Sequence, residues 1–191
     1  SDLGFFIGRT IGPIFKSKKI IIQNIKKANI KHSDNLSQIA SNVLGNYGRI
    51  FAEYVYLKKF RNDELKKYVS IDGLEHLENL KNNNKKAVFI SGHFNNFELM
   101  AMEIEKAGID LAAIYRPLNN IFLNKTMEQI RKENICKNQI KKGRAGSREI
   151  IKNLTEGKSI ALMIDQRVRE GEKVKFFNNL ATTTTIPAQL V

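Results

Sequence analysis

From about residue 68 onward the chain changes its hydrophobic period, and this change limits the fold more than any other feature. Short apolar runs at 68–71, 87–91, 109–115, 138–140 and 158–164 read as strands, with a further one at 173–177. Helix-patterned segments at 73–82, 94–107, 119–133 and 147–156 lie between them. Parallel neighbours need a crossover of a dozen or so residues, which helices of this length supply, so the pattern predicts βαβ units and an α/β sheet. Ahead of that point the spacing is helical. Residues 15–31 read as one basic amphipathic helix. A second helix places Leu36, Ile39, Ala40, Val43, Leu44 and Tyr47 on one face, with Ser33 or Asp34 as its N-cap and a continuation through Phe51, Tyr54 and Val55. The expected organisation is a helical, membrane-proximal segment over 1–65 and one α/β domain over 66–191. The chain starts at Ser1 rather than Met and stops just after the patterned stretch 181–191, which reads as a fragment of something longer.

No run reaches the roughly 18 apolar residues that a spanning helix needs. The segment 3–15 is interrupted by Gly4, Gly8, Arg9 and Gly12, unlike a secretory signal, so a reducing environment is the expectation. The single cysteine, Cys136, excludes a disulfide scaffold and a cysteine-based zinc site, and the three histidines (His32, His76, His93) are scattered. Against 19 Asp+Glu stand 32 Lys+Arg, a formal charge of +13 that favours an anionic partner. Part of this excess is lysine accompanied by many Asn and Ile, as an AT-rich genome produces. Two clusters stand out: Lys16, Lys18, Lys19, Lys26, Lys27 and Lys31 around Ile21 and Ile25, and Lys137, Lys141, Lys142, Arg144 and Arg148 near Gly143. The first suits an anionic membrane surface. Neither interleaves aromatic residues for base stacking, which argues against nucleic acid.

The most informative stretch is Ala87-Val-Phe-Ile-Ser-Gly-His-Phe-Asn-Asn-Phe-Glu98, a buried-type strand running into Gly92 and then His93. Five positions in one continuous helix turn His93 and Glu98 roughly 140° apart, so they meet only if His93 precedes the helix and folds back over its first turn. Gly92 supplies the turn, and Asn95 or Asn96 a cap. A carboxylate on one imidazole nitrogen fixes the tautomer and leaves the other nitrogen to accept a proton. The alternative is a loop histidine at a strand end, with Glu98 favouring the helix N-terminus. Ser91 lacks a G-x-S-x-G elbow and reads as strand-end packing.

These residues resemble the H-x4-[D/E] signature of the glycerolipid acyltransferase superfamily, and Gly-His-Phe-x-Asn-x-Glu looks like the late acyltransferases of lipid A biosynthesis. Further blocks follow in order: Tyr115-Arg116-Pro117, Lys142-Gly-Arg-Ala-Gly-Ser-Arg-Glu149, Asp165-Gln166-Arg167, Phe176-Phe177, and Ala181-Thr-Thr-Thr-Thr-Ile-Pro-Ala188. Two positions depart from the pattern: Asn178 and Ile186 stand where glycine is usual. The fold implied is α/β, a central mixed sheet flanked by helices and preceded by N-terminal helices, C-terminally truncated.

The activity implied is transfer of a fatty acyl chain from acyl carrier protein to a hydroxyl of a lipid A precursor, without cofactor or metal. The resemblance makes His93 the general base and Glu98 its orienting carboxylate, and gives Arg116, Arg144, Asp165, Gln166 and Arg167 to substrate binding. Phe94, Phe97, Leu99 and Met100 are candidates for an acyl channel or for plain core. The place implied is the cytoplasmic face of the bacterial inner membrane, with the anionic surface as partner and no nucleic acid. Two alternatives stay open: another glycolipid or glycerolipid acceptor, and a non-catalytic basic membrane-binding domain.

Overall fold

The computed structural model describes residues 1–29, 35–166 and 168–191. In chain order its helices are α1 (Asp2–Phe15), α2 (Lys18–Ala28), α3 (Leu36–Glu53), α4 (Leu57–Arg61), α5 (Leu74–Asn82), α6 (Glu98–Lys106), α7 (Ile121–Asn134), α8 (Arg144–Thr155) and α9 (Ile186–Gln189). Its strands are β1 (Val88–Ser91), β2 (Leu111–Tyr115), β3 (Asn138–Lys141), β4 (Ser159–Met163), β5 (Glu172–Phe176) and β6 (Asn179–Thr183). They divide into two compact units, Ser1–Val55 with Arg167–Thr185, and Tyr56–Gln166 with Ile186–Val191. This partition differs from the expected break at 65/66. Leu57 on α4 is 1 % exposed, and α4 packs on α6 and α7. Residues 172–183 form a separate antiparallel ribbon, β5 with β6, instead of extending the sheet.

In the unit of residues 56–166 and 186–191, four strands pair in parallel in the order β1-β4-β2-β3. The α/β expectation holds; within this sheet every pairing is parallel, and the antiparallel pairing is confined to the ribbon. Central β4 is buried along Ser159–Leu162, the continuous burial of a strand covered on both faces. Ala112, Ile140, Ile150, Ile160 and Leu162 form a core cluster, with Val88, Ile164, Ile186 and Leu190 against it. Met102 and Ile104 of α6 are also buried, as are Leu111, Ile135 and Cys136, whose thiol is pushed up to about 12, chiefly by burial.

Three local expectations change. Residues 69–71 form no strand, and Tyr68 ends a 3-10 turn, Lys66–Tyr68, with no neighbouring strand among the described residues to pair with. The helix expected from 94 starts at Glu98, because Asn95 takes a left-handed φ of 42° that breaks helical hydrogen bonding. Neither asparagine caps it; the N-cap position is Phe97, without a side-chain bond. The N-cap of α3 is Asn35, accepting from the Ser37 N–H at 2.8 Å, while Ser33 and Asp34 lie outside the described residues.

In the unit of residues 1–55 and 167–185, α1 and α3 run antiparallel in close contact. A Cβ on Gly48 would sit 2.2 Å from the Gly4 carbonyl oxygen, and one on Gly8 would sit 2.5 Å from that of Leu44. Glycine at i, i+4 and i+8 lets two backbones approach where any side chain would hold them apart. With its glycines turned to α3, α1 exposes Leu3, Phe6, Ile7, Ile11, Ile14 and Phe15. In the ribbon, Phe177 and Asn178 form the two-residue turn at φ 46° and 59°. Asparagine tolerates this region, which is how Asn178 replaces a glycine there.

Candidate active site

Parallel pairing places the carboxyl ends of β1, β4, β2 and β3 on one edge, where open α/β sheets bind ligands. His93 leaves this edge after β1 and Asp165 after β4. Ser91 is in register with Met163, and the ladder continues with the Ile164 N–H donating to the Ser91 carbonyl at 3.0 Å. Two residues further on, His93 and Asp165 meet.

Their contact is double. The His93 backbone N–H donates to Asp165 Oδ2 at 2.7 Å, and His93 Nδ1 lies 2.7 Å from Asp165 Oδ1. Burial works against the Asp165 charge, but the bonds from the His93 backbone and ring outweigh it and hold this carboxyl below its ordinary range. An ionised carboxylate only accepts, so Nδ1 carries the hydrogen and Nε2 keeps its lone pair. Gln166 Nε2 lies 3.2 Å from His93 Nε2 and donates to it. The Phe97 ring meets the imidazole edge-on with centroids 4.6 Å apart, so His93 does fold back over the start of α6. Gly92 is required for close approach: a Cβ there would lie 3.3 Å from Asp165 Oδ2 and 2.7 Å from the Phe94 ring.

The carboxylate on Nδ1 is therefore Asp165, where spacing suggested Glu98. Glu98 is 7 % exposed, and its Oε1 accepts from Arg131 Nε at 3.0 Å and Nη2 at 2.6 Å, tying the first turn of α6 to α7. No pattern in the sequence marks Arg131, whose partner lies 33 positions away. Nearby, the Tyr115 hydroxyl donates to Glu128 Oε1 at 2.5 Å, as does Asn124 Nδ2 at 2.7 Å, and Lys141 Nζ lies 3.1 Å from it. The Tyr115 bond foremost brings the Glu128 carboxyl down to about 2.

Of the other expected residues, Arg116 and Arg144 follow strands that end on the same edge. Arg116 follows β2 and is exposed. Arg144 opens α8, and its side chain, like all of Arg167, lies outside the described residues. The Gly-containing basic segment turns from β3 into α8, with Gly143 as N-cap and Gly146 packed where a Cβ would lie 2.0 Å from the Lys141 carbonyl oxygen. Ser91 Oγ turns to the Gly92 carbonyl at 3.4 Å, a strand-end bond. Of the four apolar candidates, Leu99 and Met100 line an open groove of about 440 Å³ with Tyr68–Asp72, Leu77, Glu103 and Ile104. Phe97 packs on His93, and Phe94 is 78 % exposed. Among the described residues no group of His, Cys, Asp and Glu could hold a metal ion.

The arrangement is an imidazole held through one ring nitrogen by a carboxylate, at a strand edge that also carries Arg116. No curated protein matches the chain significantly. The family model for bacterial lipid A biosynthesis acyltransferases matches residues 1–191, the whole chain, and the protein belongs to that family of acyltransferases.

Proposed function

We propose that the protein moves a fatty acyl chain from an acyl carrier protein thioester to a hydroxyl of a lipid A precursor, with His93 as general base. The supporting observation is the pair of hydrogen bonds from His93 to Asp165, which holds the imidazole in the tautomer whose Nε2 can accept a proton. An alcohol is far too weak an acid to attack a thioester unaided at neutral pH. His93 takes its proton as the oxygen attacks, and Asp165 stabilises the imidazolium that results. Glu98, held by Arg131, serves by fixing the first turn of α6, so that Phe97 stays against the ring.

Arg116 suits the acceptor's phosphate, since a guanidinium offers permanently charged, bidentate donors. Arg144 and Arg167 are further basic groups for the same anionic head group. The proposed place is the anionic cytoplasmic face of the inner membrane. Supporting this, α1 exposes a row of large apolar side chains, and α2 carries Lys18, Lys19, Lys26 and Lys27. Among the described residues no helix is long and apolar enough to cross a membrane, so the contact proposed is an in-plane one at the interface.

The test is a transfer assay with radiolabelled C12 or C14 acyl carrier protein and a tetra-acylated lipid A precursor, comparing the protein with His93→Ala. Transfer that disappears in a variant still folded by circular dichroism supports reaction and base together. Equal product from both refutes His93 as base. No transfer by either, with glycerolipid acceptors turning over, assigns a different acceptor.

A further inference from the structure

We infer that the Gln166 side-chain amide is the oxyanion donor of the transfer reaction, parked on the base until the acceptor arrives. The inference rests on His93 as base and goes beyond it by assigning the group that meets the developing negative charge.

The proton logic around the imidazole sets up the case. Asp165 holds hydrogen on Nδ1, so Nε2 presents a lone pair, and the atom 3.2 Å away is the Gln166 amide nitrogen. The lone pair that must receive the acceptor's proton is thus occupied by an N–H group. An incoming hydroxyl has to stand within about 2.6–3.2 Å of Nε2 and so displaces that N–H. The displaced amide remains beside the reacting atoms with two N–H groups and no acceptor on the base.

Two backbone donors next to His93 are already committed. The His93 N–H donates to Asp165 Oδ2, and the Phe94 N–H donates to the Gly92 carbonyl at 2.9 Å. Arg116 leaves β2, two strand positions from β1, a separation of roughly 10 Å at ordinary strand spacing. The Gln166 amide is the donor placed at the base itself. It follows Asp165 directly on the strand end that holds the imidazole, so one turn delivers both the orienting carboxylate and the amide.

In the step, Nε2 takes the hydroxyl proton while the hydroxyl oxygen forms a bond to the thioester carbonyl carbon. The carbonyl π pair moves onto its oxygen, which accepts from the Gln166 N–H. Collapse of the adduct re-forms the carbonyl and breaks the carbon–sulfur bond, and the departing thiolate takes the proton from the imidazolium. The products are an ester and the carrier thiol, with His93 and Gln166 back in their starting forms.

Gln166→Ala and Gln166→Glu test this in the purified protein with the labelled carrier thioester and lipid acceptor. Loss of one oxyanion donor lowers kcat by roughly 10²- to 10³-fold, with KM for both substrates nearly unchanged. Glutamate, whose carboxylate repels the oxyanion, is at least as slow as alanine. Affinity for a long-chain alkylphosphonate ester, a tetrahedral anionic mimic, falls in parallel with kcat/KM. Gln166 is exposed, so the thermal midpoint stays where it was. Normal or raised kcat in Gln166→Ala alongside an inactive His93→Ala overturns this inference alone, as does a rise confined to KM. Undiminished transfer in His93→Ala overturns the reading of the base and this inference with it.

Discussion

Replacing Asp165 by asparagine removes one charge and almost no volume, which makes it the sharpest probe of the site. The wild-type carboxylate accepts two hydrogen bonds of 2.7 Å, one from the His93 backbone and one from its ring. An amide has one oxygen, so it can serve only one of these donors. If it keeps the backbone N–H, its nitrogen faces Nδ1 and favours the tautomer with hydrogen on Nε2, in which the base has no lone pair for the acceptor. Hydrogen bonds to a charged group are worth about 1.5–3 kcal/mol each, or about 3–6 kcal/mol for the two. The Asp165 side chain is 38 % exposed, and solvent screening reduces that to roughly 2–3 kcal/mol. At 1.4 kcal/mol per decade, kcat for Asp165→Asn falls roughly 10²-fold. Steady-state transfer of labelled acyl chains measures it, and circular dichroism checks folding. KM changes little, because both oxygens of this carboxylate are committed to His93. A folded D165N protein within threefold of wild-type kcat would show that the tautomer argument is wrong, whatever the role of His93.

The remaining predictions concern the scaffold. Arg131→Ala leaves the buried Glu98 carboxylate without its guanidinium and costs about 3–5 kcal/mol in urea unfolding; an unchanged midpoint would mean that the pair contributes nothing. Gly48→Ala drives a methyl group into the Gly4 carbonyl, which cannot move independently of its helix, and costs about 1–3 kcal/mol by the same measurement. Glu128 has its carboxyl brought down from 4.5 to about 2, so it stabilises the fold above its unfolded value, and that contribution fades as pH falls from 4.5 towards 2. Glu128→Gln should therefore flatten the acid limb of a stability–pH profile, and an identical limb would count against the Tyr115–Glu128 bond.

Much of the α/β unit was legible because periodicity reports burial. The strand expected at 158–164, with its apolar run 160–164, became central β4, and the helix-patterned segments 73–82, 119–133 and 147–156 became α5, α7 and α8. The errors fall where local pattern lacks the deciding information. The apolar run at 68–71 has strand-like composition, but a strand exists only if another strand offers its backbone groups, and none among the described residues does. The start of α6 was placed four residues early because Asn95 adopts a left-handed φ, a choice that asparagine permits and spacing does not disclose. The exposed ribbon strand β5 read like any other strand, since its composition carries no mark of which sheet it joins.

For the site, His93 after a strand and a glycine was visible, as was a carboxylate–glutamine pair ending another strand. The sequence by itself determined these residue types, their position at strand ends and the +13 charge that suits an anionic substrate. Which carboxylate serves which partner was decided only in three dimensions. Glu98, five positions from His93, is held by Arg131 from α7, while Asp165, 72 positions away, reaches the imidazole because β1 and β4 lie side by side in parallel register. The physical reason is that strand neighbours are set by the burial of whole sheet faces. Hydrogen-bond partners across strands follow from that order, and distance along the chain does not encode it.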